Sequence, residues 1–237
     1  MNAVFANRRE AGKRLVQKLS LYANSSQALV LGLPRGGVPV AYEIAKHLNL
    51  PLDVCLVKKI GLPNQPEVAV GAISLRHDPT IAEDALIQSY GGDITVIDAG
   101  TAGRNAVGQG EIRAIAARVK AELQWRESCY RQYRPMIKAE GNIVIIVDDG
   151  MATGLTMYAA VTAVQRQNPQ KIILAVPVAL QQALHQFENL LHDIICLVTP
   201  KSLSAVGFWY EDFSQVSDQE VCDLLAQQTD RELVANS

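Results

Sequence analysis

The segment VIIVDDGMATGLTM, residues 144–157, places two adjacent carboxylates at the end of an apolar run. Asp148 and Asp149 are followed directly by the loop residues Gly150, Met151, Ala152, Thr153, Gly154 and Thr156. Glycines let a backbone turn tightly and present its N–H groups at a helix start, and threonine hydroxyls add donors, so this loop is typical of an anion site. The acids would repel a phosphate there unless they bind hydroxyl groups or a cation such as Mg²⁺. The segment therefore predicts a site for a sugar 5-phosphate, bound through its hydroxyls at one end and its phosphate at the other.

A second candidate anion site is the segment LPRGGVPVA. Arg35 supplies a fixed positive charge, and Gly36 and Gly37 allow a ligand to approach the backbone before another helix begins. Lys58 and Lys59 close the next apolar run, LDVCLVKKI. Because adjacent strand residues point to opposite faces, we expect one of these lysines, with Lys59 preferred, to reach the same crevice.

Short apolar runs alternate with helical patterns along the chain, which indicates an α/β protein. The predicted strands are 28–33, 52–60, 142–147, 171–180 and 193–198, and the predicted helices cover about 7–23, 38–48, 108–133 and 181–190. Strands that are apolar throughout suit a central, mainly parallel sheet with helices on both faces. Such sheets bind ligands beyond the carboxyl ends of their strands, which is where both candidate sites fall.

Composition excludes several classes of function. The 237 residues carry a formal net charge of −2, which argues against a general nucleic-acid binder and makes nucleic acid an unexpected partner. The four cysteines stand far apart without a CxxC pair, as expected in a reducing compartment. Charges interrupt the start of the chain and no apolar run is long enough to span a membrane, so a cytoplasmic protein is predicted.

The segment 144–157 resembles the 5-phosphoribosyl 1-pyrophosphate (PRPP) motif of the type I phosphoribosyltransferases: an apolar strand, two acids, two variable residues, then a small residue, Thr, Gly, any residue and Thr. The resemblance implies that Asp148 and Asp149 hold the ribose hydroxyls and Mg²⁺, while residues 150–156 surround the 5-phosphate. It further implies that Arg35, Gly36 and Gly37, with Lys58 and Lys59, bind the pyrophosphate. The family often carries a non-proline cis peptide in that pyrophosphate loop.

The resemblance covers essentially the whole chain, which is similar to stand-alone bacterial phosphoribosyltransferase-like proteins in RREAGKRL, LPRGGVPVA, PEVAVGAIS, VDDGMATGLTM, AVPVAL and AVGFWYEDFSQ. It implies one domain over 1–237, with a small hood formed by about 1–25 and 200–237. The segment 60–71 lies where the family has its flexible catalytic loop, and Glu67 is the only acid in it. The hood is loosely similar to that of purine salvage enzymes, so Phe208, Trp209 or Tyr210 is a candidate to stack on a base.

These features predict a pentosyltransferase that uses PRPP and Mg²⁺ to transfer phosphoribose to a nitrogen nucleophile, a nucleobase in the first instance, and that forms a homodimer. Arg35, Lys59 and Glu67 are its catalytic candidates. Ala152 stands where hypoxanthine-guanine enzymes usually carry an aspartate that serves the base, which argues against oxopurine transfer. Two alternatives stay open: a non-catalytic PRPP-sensing regulator of the same fold, and a phosphohydrolase, although the sequence offers no general base for the latter.

Overall fold

The computed structural model describes residues 4–62, 65–75, 87–90, 93–97 and 108–235. In chain order the helices and strands of these ranges are α1 (Arg8–Lys18), β1 (Ala28–Gly32), α2 (Gly37–Leu48), β2 (Leu52–Val54), β3 (Val57–Leu62), β4 (Gln65–Ser74), β5 (Ile87–Tyr90), β6 (Asp93–Ile97), α3 (Gln109–Tyr130), β7 (Ile143–Val147), α4 (Leu155–Gln165), β8 (Lys171–Val178), α5 (Gln181–His185), β9 (Asp193–Val198) and α6 (Asp218–Ala235). Short 3₁₀ turns cover Ser20–Tyr22 and Val206–Trp209.

A five-stranded parallel sheet in the order β2-β1-β7-β8-β9 forms the centre of the fold. Four of its strands are buried on both faces, as β1 illustrates, whereas the edge strand β9 is only half-buried. Ala28 and Val30 belong to one hydrophobic cluster, which includes residues of α2 and α6, and Leu29 and Leu31 belong to a second cluster with α4. Side chains of a strand alternate between its faces, so each face carries its own apolar set. The predicted α/β class with a mainly parallel sheet is confirmed.

The apolar run 52–60, predicted as one strand, is divided between two sheets. Its first part, β2, pairs in parallel with β1, whereas β3 pairs antiparallel with β4 in a second sheet of order β3-β4-β6-β5. The change of partner falls at Cys55 and Leu56: the Cys55 N–H still donates to Gly32 O at 3.0 Å, while Leu56 O accepts from Leu75 N–H at 3.0 Å. Lys58 and Lys59 therefore lie within the antiparallel sheet, and the prediction that they close a strand of the central sheet is wrong.

The predicted flexible loop over 60–71 is also different in the structure. Residues 60–62 belong to β3 and residues 65–71 to β4, and the Ile60 and Leu62 side chains are buried. Residues 63–64 lie outside the described ranges. Antiparallel pairing satisfies the backbone N–H and C=O groups that an open loop would leave to water, so most of this segment is a hairpin.

The two ends of the chain meet at the edge of the sheet. Phe5 forms a parallel bridge with Tyr210, and the Glu211 and Asp212 N–H groups donate to Phe5 O and Ala6 O, each at 2.9 Å. Helix α6 packs instead against α2 and β2 on one face of the sheet. The N-terminal segment and residues 209–212 therefore form one layer, while the assignment of 1–237 as a single domain stays a prediction.

Asp53, in β2, is a fully buried carboxylate that the sequence analysis did not single out. Its Oδ1 pairs with Arg131 NH1 at 2.7 Å and accepts the Val54 N–H, and its Oδ2 accepts the Ile137 N–H at 2.9 Å. Burial of a charge is tolerated when donors surround it. This carboxylate anchors the segment after α3 to the edge strand of the central sheet.

We expect Asp53→Ala to destabilise the protein strongly, because it breaks the ion pair with Arg131 and leaves the Val54 and Ile137 N–H groups without their side-chain acceptor. Breaking such a pair costs about 3 kcal/mol or more, a fall in Tm of roughly 6 to 12 °C for a chain of this size. Asp193→Ala is the matched control, since exposed Asp193 likewise accepts the N–H of the next residue, at 2.8 Å. Calorimetric melting that gave similar small shifts for both variants would contradict this role of Asp53.

Candidate active site

The two predicted motifs lie side by side because β1 and β7 end at the same level. Gly32 is paired with Val147, so the turn after β1 and the two acids after β7 leave the sheet together. A methyl group placed on Gly36 would lie 2.0 Å from Asp149 Oδ2, so the Asp149 carboxylate packs directly on the backbone of that turn. The peptide between Pro34 and Arg35 is cis. Residues 34–37 and 148–149 therefore form one continuous surface.

Asp149 is bound by residues from both ends of the chain. Arg8 Nε lies 2.7 Å from Asp149 Oδ2, and the side chains of Arg8 and Asp149 are only 11% and 14% exposed. The Tyr210 hydroxyl donates to the Asp149 carbonyl oxygen at 2.5 Å. Asp148 Oδ1 accepts the Asp149 N–H at 2.8 Å. The acid pair is thus fixed in place before any ligand is bound.

The two carboxyl groups differ in their electrostatic surroundings. Burial raises the pKa of Asp148 well above its usual range, and the neighbouring Asp149 charge raises it further. Burial also raises the pKa of Asp149, but the Arg8 guanidinium opposes that shift. Asp149 therefore has a fixed counter-charge, whereas ionised Asp148 is the group that a hydroxyl donor or a cation would stabilise most.

The loop that follows Asp149 leads directly into the N-terminus of α4. Met151 is buried, and its N–H donates to Val178 O at 2.8 Å, which fixes the loop to β8. Gly154 has φ = 80°, a conformation that favours glycine, and as the residue before α4 it provides no side-chain cap. The N–H groups in the first turn of a helix have no acceptor within the helix, so this end can bind an anion.

The other members of the loop flank that helix start. Thr153 is exposed and its carbonyl accepts the Gln186 side-chain N–H at 3.0 Å. Gly150, Ala152 and Thr156 are half-buried. Met151 packs its side chain in the hydrophobic core and already donates its N–H to Val178 O, so neither group supports its predicted role in binding the 5-phosphate.

The comparisons with known proteins agree over most of the chain. A family model described as the phosphoribosyl transferase domain matches residues 3–197. The chain belongs to this family. It is 37% identical over 222 residues to "Putative phosphoribosyl transferase Rv0571c" and, to the same degree, to "Putative phosphoribosyl transferase MT0597", both of Mycobacterium tuberculosis. Those matches cover 94% of this chain and 46% of each relative, so the chain spans about half the length of these curated relatives.

A solved structure supports the same conclusion at the level of the fold. The crystal structure of TT1426 from Thermus thermophilus is 35% identical, with a TM-score of 0.72 over 96% of this chain and 99% of that one. The predicted family and the predicted type I phosphoribosyltransferase fold are confirmed, and family membership supports the predicted glycosyltransferase class. None of these matches supports a non-catalytic regulator. No helix in the described part of the chain has both the length and the hydrophobicity to cross a membrane.

In this phosphoribosyl transferase domain, Arg35 is held by the start of α6. Its NH1 lies 3.3 Å from Asp218 Oδ2, and Asp218 Oδ1 lies 3.1 Å from Arg126 Nε and accepts the Tyr130 hydroxyl. Asp218 and Arg126 were not among the predicted site residues. Asp218 is 183 residues from Arg35 along the chain, so no local pattern connects them.

Lys58, in β3, faces α3. Lys58 forms an ion pair with Glu122, and Glu122 Oε1 lies 3.0 Å from Arg126 NH2. Both lysines, with Arg118, line a cavity of about 430 Å³ between β3 and α3. Lys58 is therefore connected to Arg35 through a chain of ion pairs, and the predicted direct contact of either lysine with pyrophosphate stays a prediction.

The three predicted stacking aromatics have different environments. Tyr210 is buried against Phe5 and Phe213, with ring centroids 5.3 and 5.0 Å apart, so its assignment as a stacking platform is wrong. Phe208 is 69% exposed and lines a cavity of about 250 Å³ with Trp209, Ser202 and Ser204. Glu67 lies in β4, and its side chain is outside the described residues.

The acid pair also suits a partly protein-bound Mg²⁺. Among the residues that the structure describes, no group of three or more His, Cys, Asp or Glu residues is placed to hold a metal. Mg²⁺ commonly binds one or two carboxylates together with water and substrate phosphates. Asp148 and Asp149 carry two charges against one from Arg8, which fits that mode of binding.

Asp148→Asn is expected to stabilise the protein more than Asp149→Asn does at neutral pH. A raised pKa means that ionised Asp148 opposes folding above the ordinary pKa of Asp. The amide removes that cost, and Tm rises by about 2 to 4 °C for each kcal/mol recovered. Asp149→Asn recovers less, because burial raises the pKa of Asp149 as well but the amide also leaves the Arg8 charge without its partner. A lower melting point for Asp148→Asn in calorimetry would contradict the unequal roles of the two acids.

Proposed function

We propose that the chain transfers a 5-phosphoribosyl group from PRPP to a nitrogen nucleophile and releases pyrophosphate. The observation that carries the proposal is that three groups lie along one edge of the sheet: the acid pair, the start of α4, which no side chain caps, and the Arg35 turn. They meet there because Gly32 at the end of β1 is paired with Val147 at the end of β7. PRPP has a phosphate group at each end of its ribose. Its hydroxyls therefore match the carboxylates, and its phosphates match the anion sites on either side of them. Membership of the phosphoribosyl transferase family supports the same assignment.

In the proposed reaction the ribose, the 5-phosphate and the pyrophosphate are bound by different parts of the site. Asp148 and Asp149 accept hydrogen bonds from the ribose hydroxyls, and the N–H groups at the start of α4 bind the 5-phosphate. Arg35 and the backbone at Gly36 and Gly37 bind the pyrophosphate. The bond between ribose C1 and the pyrophosphate oxygen breaks, the pyrophosphate leaves with the bonding electrons, and the nitrogen forms a new bond to C1 and releases its proton to the solvent. Mg²⁺, when bound, neutralises charge on the pyrophosphate.

Catalysis in this scheme comes from positioning and electrostatics. Fixing the sugar at both ends holds C1 in one place relative to the acceptor, and no side chain has to form a covalent bond. The cavity beside Phe208 and Trp209 is the proposed acceptor site, since an exposed aromatic ring can stack on a planar nitrogen base. The four free cysteines fit a reducing compartment, and the cytoplasm is the proposed location.

The decisive experiment incubates the protein with PRPP, Mg²⁺ and a panel of nucleobases and amines, and measures pyrophosphate release. Release that depends on one acceptor is the expected result. Release without any acceptor would instead indicate a hydrolase, and PRPP binding without release would indicate a sensor. Reactions with free ribose 5-phosphate in place of PRPP provide the control for contaminating phosphatases.

Arg35→Ala is expected to weaken pyrophosphate binding roughly ten- to a hundredfold, because charge-assisted contacts contribute about 1.5 to 3 kcal/mol. Binding of ribose 5-phosphate should change little, since Arg35 is assigned to the pyrophosphate. Calorimetric titration with each ligand separately measures both effects.

Arg118→Ala is the matched control for Arg35→Ala. Arg118 is an exposed arginine that lines the cavity between β3 and α3 with Lys58 and Lys59. If Arg118→Ala weakened pyrophosphate binding more than Arg35→Ala did, the pyrophosphate would belong in that cavity and the Arg35 assignment would be wrong.

A further inference from the structure

Arg8 is a feature of the site that the proposed reaction leaves without a task. It is the first residue of α1, which begins where the Asn7 side chain accepts the Glu10 N–H at 3.0 Å. This cap places Arg8 at the end of α1 that faces the acid pair. Arg8 opens the segment RREAGKRL, which is part of the family resemblance.

The Arg8 guanidinium has three partners. Nε lies 2.7 Å from Asp149 Oδ2, NH1 donates to Ser214 O at 2.8 Å, and the guanidinium carbon lies 3.7 Å from the centre of the Phe213 ring. An arginine with three fixed partners loses little further freedom when a ligand arrives. Its side chain is therefore a rigid support for the carboxylate that it contacts.

Arg8 also lies where the two proposed ligand loops touch. A methyl group on Gly36 would lie 3.3 Å from Arg8 Nε as well as 2.0 Å from Asp149 Oδ2. The backbone of the pyrophosphate turn thus packs on the Arg8–Asp149 pair, and the pair cannot rotate toward the turn. Because Arg8 occupies Oδ2, the oxygen that Asp149 can present to a ligand hydroxyl is Oδ1.

We propose that Arg8 is a positioning residue for ribose: it holds the Asp149 carboxylate against Gly36 so that the second oxygen accepts a ribose hydroxyl. The inference rests on the proposed function and adds a residue to it. Asp148, directly beside Asp149, would otherwise repel that carboxylate, and the Arg8 charge offsets the repulsion. Arg8 acts through Asp149, and contact with the ribose is not part of its role.

The test measures binding of ribose 5-phosphate and of magnesium pyrophosphate separately, by calorimetric titration of Arg8→Gln and Arg8→Lys. We expect Arg8→Gln to weaken ribose 5-phosphate binding roughly tenfold or more and pyrophosphate binding far less. Arg8→Lys should recover part of the loss, since lysine keeps the charge but cannot reach Asp149 and Ser214 together.

Arg9→Gln is the matched control, because Arg9 is the next residue of the same helix and pairs with Glu43 at 3.1 Å instead of with Asp149. It should leave both affinities unchanged. Thermal melting of all variants verifies that the folded state persists at the titration temperature.

A double-mutant cycle separates positioning from direct contact. If Arg8 acts through Asp149, Arg8→Gln has no further effect on ribose 5-phosphate binding once Asp149→Asn is present. A further loss in that background would mean that Arg8 contacts the ligand itself and would overturn the positioning role. If Arg8→Gln bound ribose 5-phosphate as tightly as the wild-type protein does, the positioning role of Arg8 would be wrong and the proposed function would be unaffected. If the wild-type protein did not bind ribose 5-phosphate, both would fall.

Discussion

Two adjacent carboxylates at the end of a buried strand are the constraint on which this site depends. Asp148 and Asp149 leave the sheet where β1 and β7 end together, and their mutual repulsion is greatest where water is partly excluded. Arg8 supplies the balancing charge and comes from the far end of the chain. The position of α1 on the sheet and the charge balance of the acid pair therefore depend on each other. That link explains why Phe5, Tyr210 and Phe213 surround the same point.

The turn after β1 is stabilised in a comparable way from the other side. Arg35 is bound to Asp218 at the start of α6, and Asp218 is in turn bound to Arg126 and Tyr130 of α3. Tyr130 is fully buried, so this part of the network is fixed by the hydrophobic core and not only by surface charges. Glu122 extends the network to Lys58 on β3. Two helices distant in sequence thus hold the proposed pyrophosphate turn, which the central sheet alone would leave as an exposed connection.

The sequence predicted those parts of this arrangement that are specified by residues close together in the chain. The acid pair with its glycine loop, the RGG turn and the apolar strands were readable because each is specified within about a dozen residues. The division of 52–60 at Cys55 was not readable, because β2 and β3 share one apolar pattern and differ only in the strands that they pair with. Arg8 and Asp218 gave no signal either, since their partners lie 141 and 183 residues away. Tyr210 was misassigned because an aromatic cluster looks the same in sequence whether it packs in the core or faces a ligand.

The charges around the proposed site also bear on how a polyanion enters it. Arg8, Arg35 and Arg126 are balanced by Asp149 and Asp218, and Asp148 is the anion whose ionised form is least compensated. The resting arrangement is therefore close to neutral, in contrast to a strongly basic pocket that would attract any phosphate compound. A ligand with several phosphates gains little there from net charge and must instead match the donors in position: the turn at Gly36 at one end and the start of α4 at the other. Neutralisation of its own charge by a divalent cation would lower the cost of entry beside Asp148. The site would therefore select its ligand by geometry and not by charge. A ligand that lacks either the diol or the second phosphate leaves one set of these fixed groups without a partner.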